Sequence, residues 1–451
     1  NVIFGLRSVG SRDNIEPQGS RNTILLKMSS SPKIISKSNG KIVIEIDIES
    51  SDSLLQEEEN IMKAVNSIGA ELTGEALRRH DIEGATIKLG DIIAYSKGLS
   101  NGVYQTPYGA VDVQRHVYQT SNGGRIIVPL EMNCKMVDNT TPKFAKQVSS
   151  KYISMSASDV ISDLEDNHGR HATRSFVQNV VSAVGTEIQS TMADGQWTIE
   201  PTVDPSKIKS ISCGLDGAMM PVRGSKEWRE AMTGTIAFFD EEGVRLETIY
   251  VAAAPEYGKE LFSKRFLSSI EQAKNHAPGA TVIGLADGAK WNWGILNDVT
   301  DIQMLDFYHV SEYLSEAADA MFPDENMKND KCAWLKISCH DLKHKMGAAK
   351  RLLNEMVEYR ENLSYRTKRA KILDKVITYF TNGYKKMNYY KHCIENFPIG
   401  SGVTEAACKV IIKQRMCKSG SRWSIPSAEK ILIMRCMSQT GSRWNEYWKN
   451  R

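Results

Sequence analysis

Residues 207–218 read KIKSISCGLDGA, and residues 280–291 read ATVIGLADGAKW. The first alternates and the second is almost wholly apolar, so each predicts a buried strand, and each strand ends in an aspartate followed by a Gly-Ala step. In open α/β sheets, ligands bind at the carboxyl ends of the strands. Asp-Gly is also ordinary turn chemistry. Two such endings on neighbouring strands nevertheless favour a functional edge that carries Asp216 and Asp287.

The segments around these strands predict the rest of the sheet. Residues 230–255 alternate on both sides of Asp-Glu-Glu-Gly, which indicates two strands and a hairpin turn. Residues 257–274 predict an amphipathic helix, and residues 301–310 predict a further strand after a short helix. The resulting order is β-β-β-α-β-α-β, an antiparallel meander joined to parallel crossovers. This order predicts an α/β protein with an RNase H-like core.

A third acidic residue comes much later in the chain. Residues 398–416 read PIGSGVTEAACKVIIKQRM and predict a helix with Glu405 in its first turn. Helix electrostatics alone can explain this position, since acids are favoured near helix N-termini and Glu405 can pair with Lys409. If the helix packs on the sheet, however, Glu405 reaches the edge that carries Asp216 and Asp287. Three carboxylates repel one another unless a cation holds them, so we predict that they bind two Mg²⁺ or Mn²⁺ ions.

The remaining segments suggest several further parts. Residues 103–120 alternate around Tyr-Gly and predict a hairpin. Residues 156–189 predict two helices around a glycine-containing turn, which fits either a helix-turn-helix that docks on DNA or a plain helical pair. The expected parts are a partly disordered leader with one strand (1–50), an α+β region with a hairpin (51–150), a helical DNA-binding region (151–200), an RNase H-like catalytic domain with basic C-terminal helices (207–310 and 398–451) and an all-α insertion (311–397).

The charge distribution points to a polyanionic partner. Residues 341–451 hold 23 Lys and Arg and 9 Asp and Glu out of 57 and 54 in the chain, which leaves 34 and 45 for the rest. Aromatic residues interleaved with the basic ones favour double-stranded DNA, and no run approaches the ~20 apolar residues of a membrane span. Residues 1–27 are polar and are expected to be a disordered leader or upstream translation before Met28. The cysteines lie mostly in apolar segments, which is typical of reduced thiols in a cytoplasmic protein.

Taken together, these motifs resemble a DDE transposase of bacterial insertion sequences, most similar to the ISKra-type group. The matching segments are YQTPYGAVDVQRHVYQ (104–119) with VPLE (128–131), LDGAMMPVRGSKEWREAMTG (215–234), GLADGAKWNW (284–293), LDFYHVSEYL (305–314) and PIGSGVTEAACKVIIKQRMCKSGSRWS (398–424). The resemblance covers the chain from about residue 100 onward. It implies two-metal DNA cleavage at element ends, joining of the 3′-hydroxyl to target DNA, and assembly of a homodimer or larger synaptic complex on terminal inverted repeats.

The resemblance also suggests roles for residues outside the three carboxylates. Asp306 and His309 form a D-x-x-H motif that supports the site or contacts the scissile phosphate, with a structural Asp-His pair as an equal alternative. Trp334 in the insertion is a candidate for stacking on a flipped base, with core packing as the alternative. The candidate phosphate contacts, for each of which a solvated surface position is the alternative, are Lys409, Lys413, Arg415, Arg422 and Arg443.

Two other functions remain open at this point. A structure-specific nuclease on the same fold would share the carboxylates but would not join strands. A non-catalytic DNA-binding protein derived from a transposase would keep the helix-turn-helix and the basic surface. The presence of all three acids argues against the second of these.

Overall fold

A computed structural model describes residues 32–38, 41–193 and 201–451, so the expected leader at residues 1–27 lies outside the described residues. The strands are β1 (Lys33–Ser38), β2 (Lys41–Glu45), β3 (Thr86–Leu89), β4 (Ile92–Gln105), β5 (Ala110–Thr120), β6 (Gly123–Ile127), β7 (Ser210–Pro221), β8 (Trp228–Phe239), β9 (Arg245–Ala253), β10 (Thr281–Ala286) and β11 (Ile302–Leu305). The α-helices are α1 (Leu54–Arg78), α2 (Pro129–Asn133), α3 (Pro142–Tyr152), α4 (Ala157–His168), α5 (Arg174–Ala193), α6 (Glu260–His276), α7 (Lys290–Leu296), α8 (Phe307–Met321), α9 (Lys328–His344), α10 (Ala348–Glu361), α11 (Lys368–Gly383), α12 (Tyr389–Ile394), α13 (Gly402–Ala407), α14 (Gln414–Met416), α15 (Ile425–Gln439) and α16 (Arg443–Lys449). Within these ranges, every helix falls short of the length or the apolar character that spanning a bilayer requires.

The N-terminal region contains an antiparallel sheet in the order β3-β4-β5-β6. Its main pair is the β4–β5 hairpin that the alternating sequence predicts. The Thr106 hydroxyl donates to the Gly109 carbonyl across the turn at 2.8 Å. α1 packs against β5, and Leu77 of that helix shares an apolar core with Val113. This region therefore combines helices with an antiparallel sheet.

The central sheet has the strand order β11-β10-β7-β8-β9. Strands β7, β10 and β11 are parallel, whereas β7, β8 and β9 form an antiparallel meander. The β8–β9 turn is closed by Asp240, whose Oδ1 accepts from the backbone N–H of Val244 at 2.7 Å. Along the chain these elements run β7-β8-β9-α6-β10-α7-β11, so the predicted element order is confirmed. The protein is a mixed α/β structure.

The two faces of the central sheet are covered by different helices. α6 covers one face, where Phe262 and Phe266 pack against Leu215 of β7. On the other face, α3, α4 and α5 share one core with α15, α16 and the sheet residues Ala218 and Met220. α4 and α5 form the predicted helical pair, joined through Gly169 in the left-handed conformation at φ 59°. This pair has its core in common with the sheet and the C-terminal helices.

Helices α8 to α12 separate β11 from the C-terminal segment and supply the predicted all-α insertion. Leu314, Leu353 and Phe380 lie in its core, which continues onto β10 and β11. The expected strand at residues 301–310 is wrong at its end. β11 stops at Leu305 because Asp306 caps α8, accepting from the first free N–H groups of that helix. The helical insertion therefore begins four residues earlier than residue 311.

The chain returns to the sheet as one helical segment that changes its pitch. α13 leads into a π-helical turn at Cys408–Lys413 and then into α14. The buried side chain of Arg435 on α15 bonds carbonyls of this turn, with 2.8 Å from its Nε to the Ile411 oxygen and a further bond to Val410. π-turns are rare and occur frequently at functional sites.

Candidate active site

Asp216 and Asp287 lie level with each other where the pairing of two parallel strands ends. Leu285 of β10 pairs with Gly214 of β7, and the same register continued by two residues places Asp287 beside Asp216. Residues side by side in a parallel pair point to the same face, and every second residue of a strand does so too. Both aspartates therefore project toward the face that α13 contacts.

A third aspartate continues this row on the other side of Asp287. Ala286 pairs with Leu305 of β11, so Asp306 follows at the level of Asp287. The backbone N–H of Asp306 donates to the Ala286 carbonyl at 2.9 Å, which ties the two strand ends together. The carboxyl edge of the sheet thus carries three aspartates in successive parallel strands.

Glu405 reaches this edge because α13 lies unusually close to β7. A Cβ atom on Gly214 would lie 2.2 Å from Oγ1 of Thr404, so only glycine permits this approach. The Thr404 hydroxyl also bonds the Thr235 hydroxyl of β8 at 2.7 Å. Three residues after Glu405, the Cys408 thiol contacts Asp216, which shows that this helix face lies over the aspartate row.

Hydrogen bonds hold both oxygens of Asp216 and one oxygen each of Asp287 and Glu405. Asp287 Oδ1 accepts from the Ala289 N–H and from Asn292 Nδ2, both at 3.0 Å. Asp216 Oδ1 accepts from its neighbouring backbone N–H at 2.7 Å. Glu405 Oε1 accepts from the Ser401 hydroxyl at 3.0 Å. Among the described residues, Asp287 Oδ2 and Glu405 Oε2 receive no hydrogen bond, so oxygen donors remain for a ligand.

Asp306 is fully buried, and both of its carboxylate oxygens accept hydrogen bonds from other groups of the protein. Its carboxylate accepts from the backbone N–H groups of Tyr308 and His309, from the Ser401 N–H at 2.8 Å, and from His309 Nδ1 at 2.7 Å. Burial alone would raise the pKa of Asp306, but these hydrogen bonds outweigh it and the pKa is lowered. The hydrogen bond to Asp306 raises the pKa of His309 to about 9. At neutral pH the pair is therefore an aspartate and an imidazolium.

The grouping of ligand atoms differs from the sequence prediction. In the part of the chain that the structure describes, the one set of three acidic, His or Cys side chains with ligand atoms within 4.8 Å of one another is Asp306, His309 and Glu405. The predicted trio of Asp216, Asp287 and Glu405 does not meet that distance. Glu405 instead lies nearest the D-x-x-H pair, because Ser401 bonds both Glu405 and Asp306.

The donor chemistry separates these two sets. By distance, the Asp306, His309 and Glu405 group could hold a metal ion. However, four donors already occupy Asp306, and a protonated His309 repels a cation. Asp216, Asp287 and Glu405 offer carboxylate oxygens, which hard divalent cations prefer, and they are partly or fully exposed. Carboxylates repel one another and draw together around a cation, so the residues present fit a divalent-ion site at this edge.

Three supporting residues escaped the sequence prediction. Asn292 on α7 orients Asp287, and Cys408 contacts Asp216. Tyr379 in the insertion donates its hydroxyl to the Asp287 carbonyl at 3.1 Å, which ties the insertion to the site. The spacing from Asp287 to Asn292 and from Glu405 to Cys408 is the only signal in the sequence for the first two.

The predicted phosphate contacts fall into two groups. Lys409, Lys413 and Arg422 are exposed, so DNA can reach them from solvent. Arg415 is only 2 % exposed but lines a surface cavity. These four residues remain candidates for binding a polyanion.

Arg443 and Trp334 serve the protein's own packing. Arg443 is 7 % exposed and faces the interior, with its Nη1 3.6 Å from Glu446, so the expectation of a surface phosphate contact is wrong. Trp334 is half-buried against the insertion core, stacks obliquely on Phe322, and donates its indole N–H to Glu355 at 2.7 Å. These contacts favour the core alternative for Trp334 over base stacking.

The interpretation of this edge depends on its geometry and chemistry. Comparison with protein-family models and with curated proteins finds no match to this chain.

Proposed function

We propose that this protein is a metal-dependent DDE transposase of the insertion-sequence type, which cuts DNA at element ends and joins the 3′-hydroxyl to target DNA. The observation that carries the proposal is the level placement of Asp216 and Asp287 at the carboxyl edge, on the face that the Glu405 helix crosses. The central sheet supports it, because a mixed sheet of order β11-β10-β7-β8-β9 is compatible with the RNase H-like core that we expect of such enzymes.

The proposed ligands of two Mg²⁺ or Mn²⁺ ions are Asp216, Asp287 and Glu405. When bound, such ions activate the attacking oxygen and stabilise the leaving oxygen of a phosphoryl displacement. Asn292 and the Ala289 N–H fix the orientation of Asp287, and Ser401 fixes Glu405. Each of these bonds limits side-chain motion before substrate binds.

His309 has a separate role in this proposal. Its Nδ1 is bound to Asp306, which leaves Nε2 as the ring's second N–H donor. A donor of that charge beside the carboxylate edge can hold a non-bridging oxygen of the scissile phosphate. Asp306 keeps the imidazole protonated and oriented, which makes it a positioning residue.

Double-stranded DNA is the proposed partner, as terminal inverted repeats and as target. The exposed Lys409 and Lys413 lie on the segment that follows Glu405, where the backbone of a bound duplex could contact them. A homodimer or larger synaptic assembly, located on the nucleoid in the cytoplasm, is the arrangement that joining two element ends requires.

The test is a strand-transfer reaction with the full-length protein. A labelled, pre-cleaved duplex made from the DNA that flanks the coding sequence is mixed with a supercoiled plasmid and Mn²⁺. We expect labelled plasmid products that disappear with EDTA and in Asp216→Asn, Asp287→Asn and Glu405→Gln variants, while duplex binding persists. Glu271→Gln, an exposed acid on α6 at the opposite face, is the matched control and should retain activity.

Each other outcome selects another function. Cleavage of uncut flanking duplex without any joining would identify a nuclease on the same fold. Tight binding of the flanking duplex without cleavage in Mn²⁺ would identify a non-catalytic DNA-binding protein. An active Glu405→Gln variant would remove Glu405 from the ligand set.

A further inference from the structure

A groove of about 700 Å³ lies on the side of the central sheet that α3, α4, α5 and α15 cover, apart from the aspartate row. Its walls are the end of α3, the first turns of α4 and α5, Arg223 just after β7, Arg415 of α14, and the loop at residues 419–424 with the first turns of α15. The loop is fixed to β7 by the Arg223 N–H, which donates to the Trp423 carbonyl at 2.7 Å. The groove is therefore built from segments that are distant in sequence but held together by the fold.

The lining of this groove is strongly cationic. Its charged members are all basic, and they are Arg174, Arg223, Arg415, Arg422 and Lys430. None of these five side chains forms an ion pair with a carboxylate of the described residues. Arg174 and Lys430 bond only serine hydroxyls, at 3.1 and 2.8 Å. Serines make up much of the remaining lining, so the groove offers cationic and hydroxyl donors and no acidic side chain.

Arg415 supplies this groove with a guanidinium whose orientation is fixed by its neighbours. Its guanidinium is stacked between the rings of Tyr152 and Trp423, 4.8 and 4.6 Å from their centroids, and its Nε donates to the Tyr152 carbonyl at 2.8 Å. The described residues supply no acceptor for its two Nη atoms. The Asp159 carboxylate attracts this guanidinium without bonding it, so the cost of burying the charge is only partly compensated. A stacked, pre-oriented guanidinium with free Nη donors is the arrangement that binds phosphate oxygens in a bidentate way.

Two helix N-termini add to the same preference for anions. α4 begins at the groove with Ser156 as its capping residue, and α15 begins there with Ser424. Both helices are long enough to carry a partial positive charge at this end. Together with the five cations, they give this groove a preference for anionic groups.

We propose that this groove binds the phosphodiester backbone of duplex DNA at a fixed distance from the aspartate row. The choice of DNA as the polyanion rests on the proposed function, whereas the phosphate preference follows from the groove itself. Glu405 and Arg415 are ten residues apart on one helical segment that includes the π-turn at Cys408–Lys413, so the groove and the carboxylate edge are joined by a short stretch of chain.

The test measures duplex affinity as a function of salt concentration. A fluorescein-labelled 30-base-pair duplex of arbitrary sequence is titrated with the full-length protein, and log K is plotted against log salt concentration. Arg223→Gln with Arg422→Gln removes two exposed groove cations and should leave the fold intact, as checked by thermal unfolding. If each cation contacts one phosphate, the slope becomes shallower by about 1.8. The ratio of wild-type to variant affinity should then be about 60-fold larger at 0.1 M salt than at 1 M.

A matched control removes the same charge elsewhere. Lys207, just before β7, and Lys264, on α6, are exposed and lie away from the groove. The double variant Lys207→Gln with Lys264→Gln should therefore bind duplex like the wild type. An equal loss in both double variants, or no loss in either, would overturn the proposal. Displacement of the duplex by millimolar inorganic phosphate beyond its ionic-strength effect would also overturn it, since free phosphate would then be the ligand.

Cleavage is scored separately from binding in this experiment. If the wild type never cuts or joins DNA but the groove variant still loses affinity and slope, the groove proposal stands and the enzymatic one fails. If the wild type joins strands but the groove variant binds duplex normally, the groove proposal fails alone. Arg174→Gln, which changes another exposed groove cation, should shift the slope by about half as much.

Discussion

The thiol of Cys408 donates to Asp216, with 3.4 Å between Sγ and Oδ2. Burial, together with the Asp216 charge, raises the pKa of this thiol, so it stays a donor at physiological pH. We expect Cys408→Ala to slow DNA cleavage about 2- to 10-fold, the equivalent of losing one hydrogen bond worth ~0.5–1.5 kcal/mol. Cys408→Ser keeps a donor and should stay close to the wild-type rate in a single-turnover assay.

The control for this prediction is another buried cysteine in the same core. Cys436→Ala on α15 makes the same change in volume without touching an acidic ligand, and it should leave the cleavage rate unchanged. A Cys408→Ser variant as slow as Cys408→Ala would show that packing, and not the hydrogen bond to Asp216, sets the rate.

Gly214 and Thr404 together determine how closely the Glu405 helix approaches the sheet. In Gly214→Ala, the new methyl group would meet Thr404 Oγ1 at 2.2 Å. We expect this variant to lose about 1–3 kcal/mol of unfolding free energy and to lose DNA cleavage. Adding Thr404→Ala removes the clashing hydroxyl, so the double variant should be more stable than the sum of the single changes predicts. Urea unfolding of the four proteins measures this, and additivity within about 0.5 kcal/mol would contradict the contact.

Local patterns were enough to predict much of the catalytic sheet. Alternation and the Asp-Glu-Glu-Gly turn predicted β8 and β9, and the repeated Gly-Ala endings located Asp216 and Asp287. Asp306 was assigned to a strand although Asp is a preferred N-cap residue, a signal that the sequence did contain. Strand register was out of reach, because it is fixed by pairing between distant segments. The level row of aspartates is therefore visible only in the structure.

Burial of single charged residues was equally hard to predict. The tetrapeptide GSRW occurs at 420–423 and again at 441–444, yet Arg422 is exposed and Arg443 is buried. The second copy leads into α16, whose Trp444 bonds Ser150 of α3 and whose Tyr447 bonds Glu187 of α5, 294 and 260 residues earlier in the chain. For the same reason the groove around Arg415 could not be found from the sequence, since segments far apart in the chain build it.

The Asp306–His309 pair predicts a change of stability with pH. The pKa of His309 is raised to about 9 in the folded protein from an ordinary value of 6.5. The stabilisation is therefore complete below pH 6.5 and is lost as the pH rises through 9. In EDTA, we expect the urea midpoint of the wild type to fall between these pH values more steeply than that of His309→Gln.

The matched control for the pH experiment is His171→Gln, whose side chain is 84 % exposed in the wild type. This variant should keep the wild-type dependence on pH. Parallel curves for the wild type and His309→Gln would show that the ion pair contributes nothing to folding. Asp306→Asn should be more damaging than His309→Gln, because it also weakens the cap of α8 and the bond from the Ser401 N–H.

Arg435 is expected to hold the π-helical turn that follows Glu405. Its guanidinium bonds the carbonyls of Ile411, Val410 and Ile153, and burial lowers its pKa to about 10. Arg435→Met would leave these carbonyls without a donor, at a cost of about 3 kcal/mol or more. Because the turn sets the direction of the preceding helix, we also expect Glu405 to lose its position and cleavage to be lost at temperatures where the variant is still folded.

Arg435→Lys separates the charge from the geometry of this contact. An ammonium group keeps the positive charge but cannot reach three carbonyls in different directions, so its stability and cleavage rate should lie between those of the wild type and Arg435→Met. Arg78→Met, which removes a surface arginine on α1 beside Glu75, should cost less than about 1 kcal/mol. If Arg435→Met unfolds at the wild-type urea concentration, the π-turn is held by its apolar contacts, and the guanidinium is not what positions Glu405.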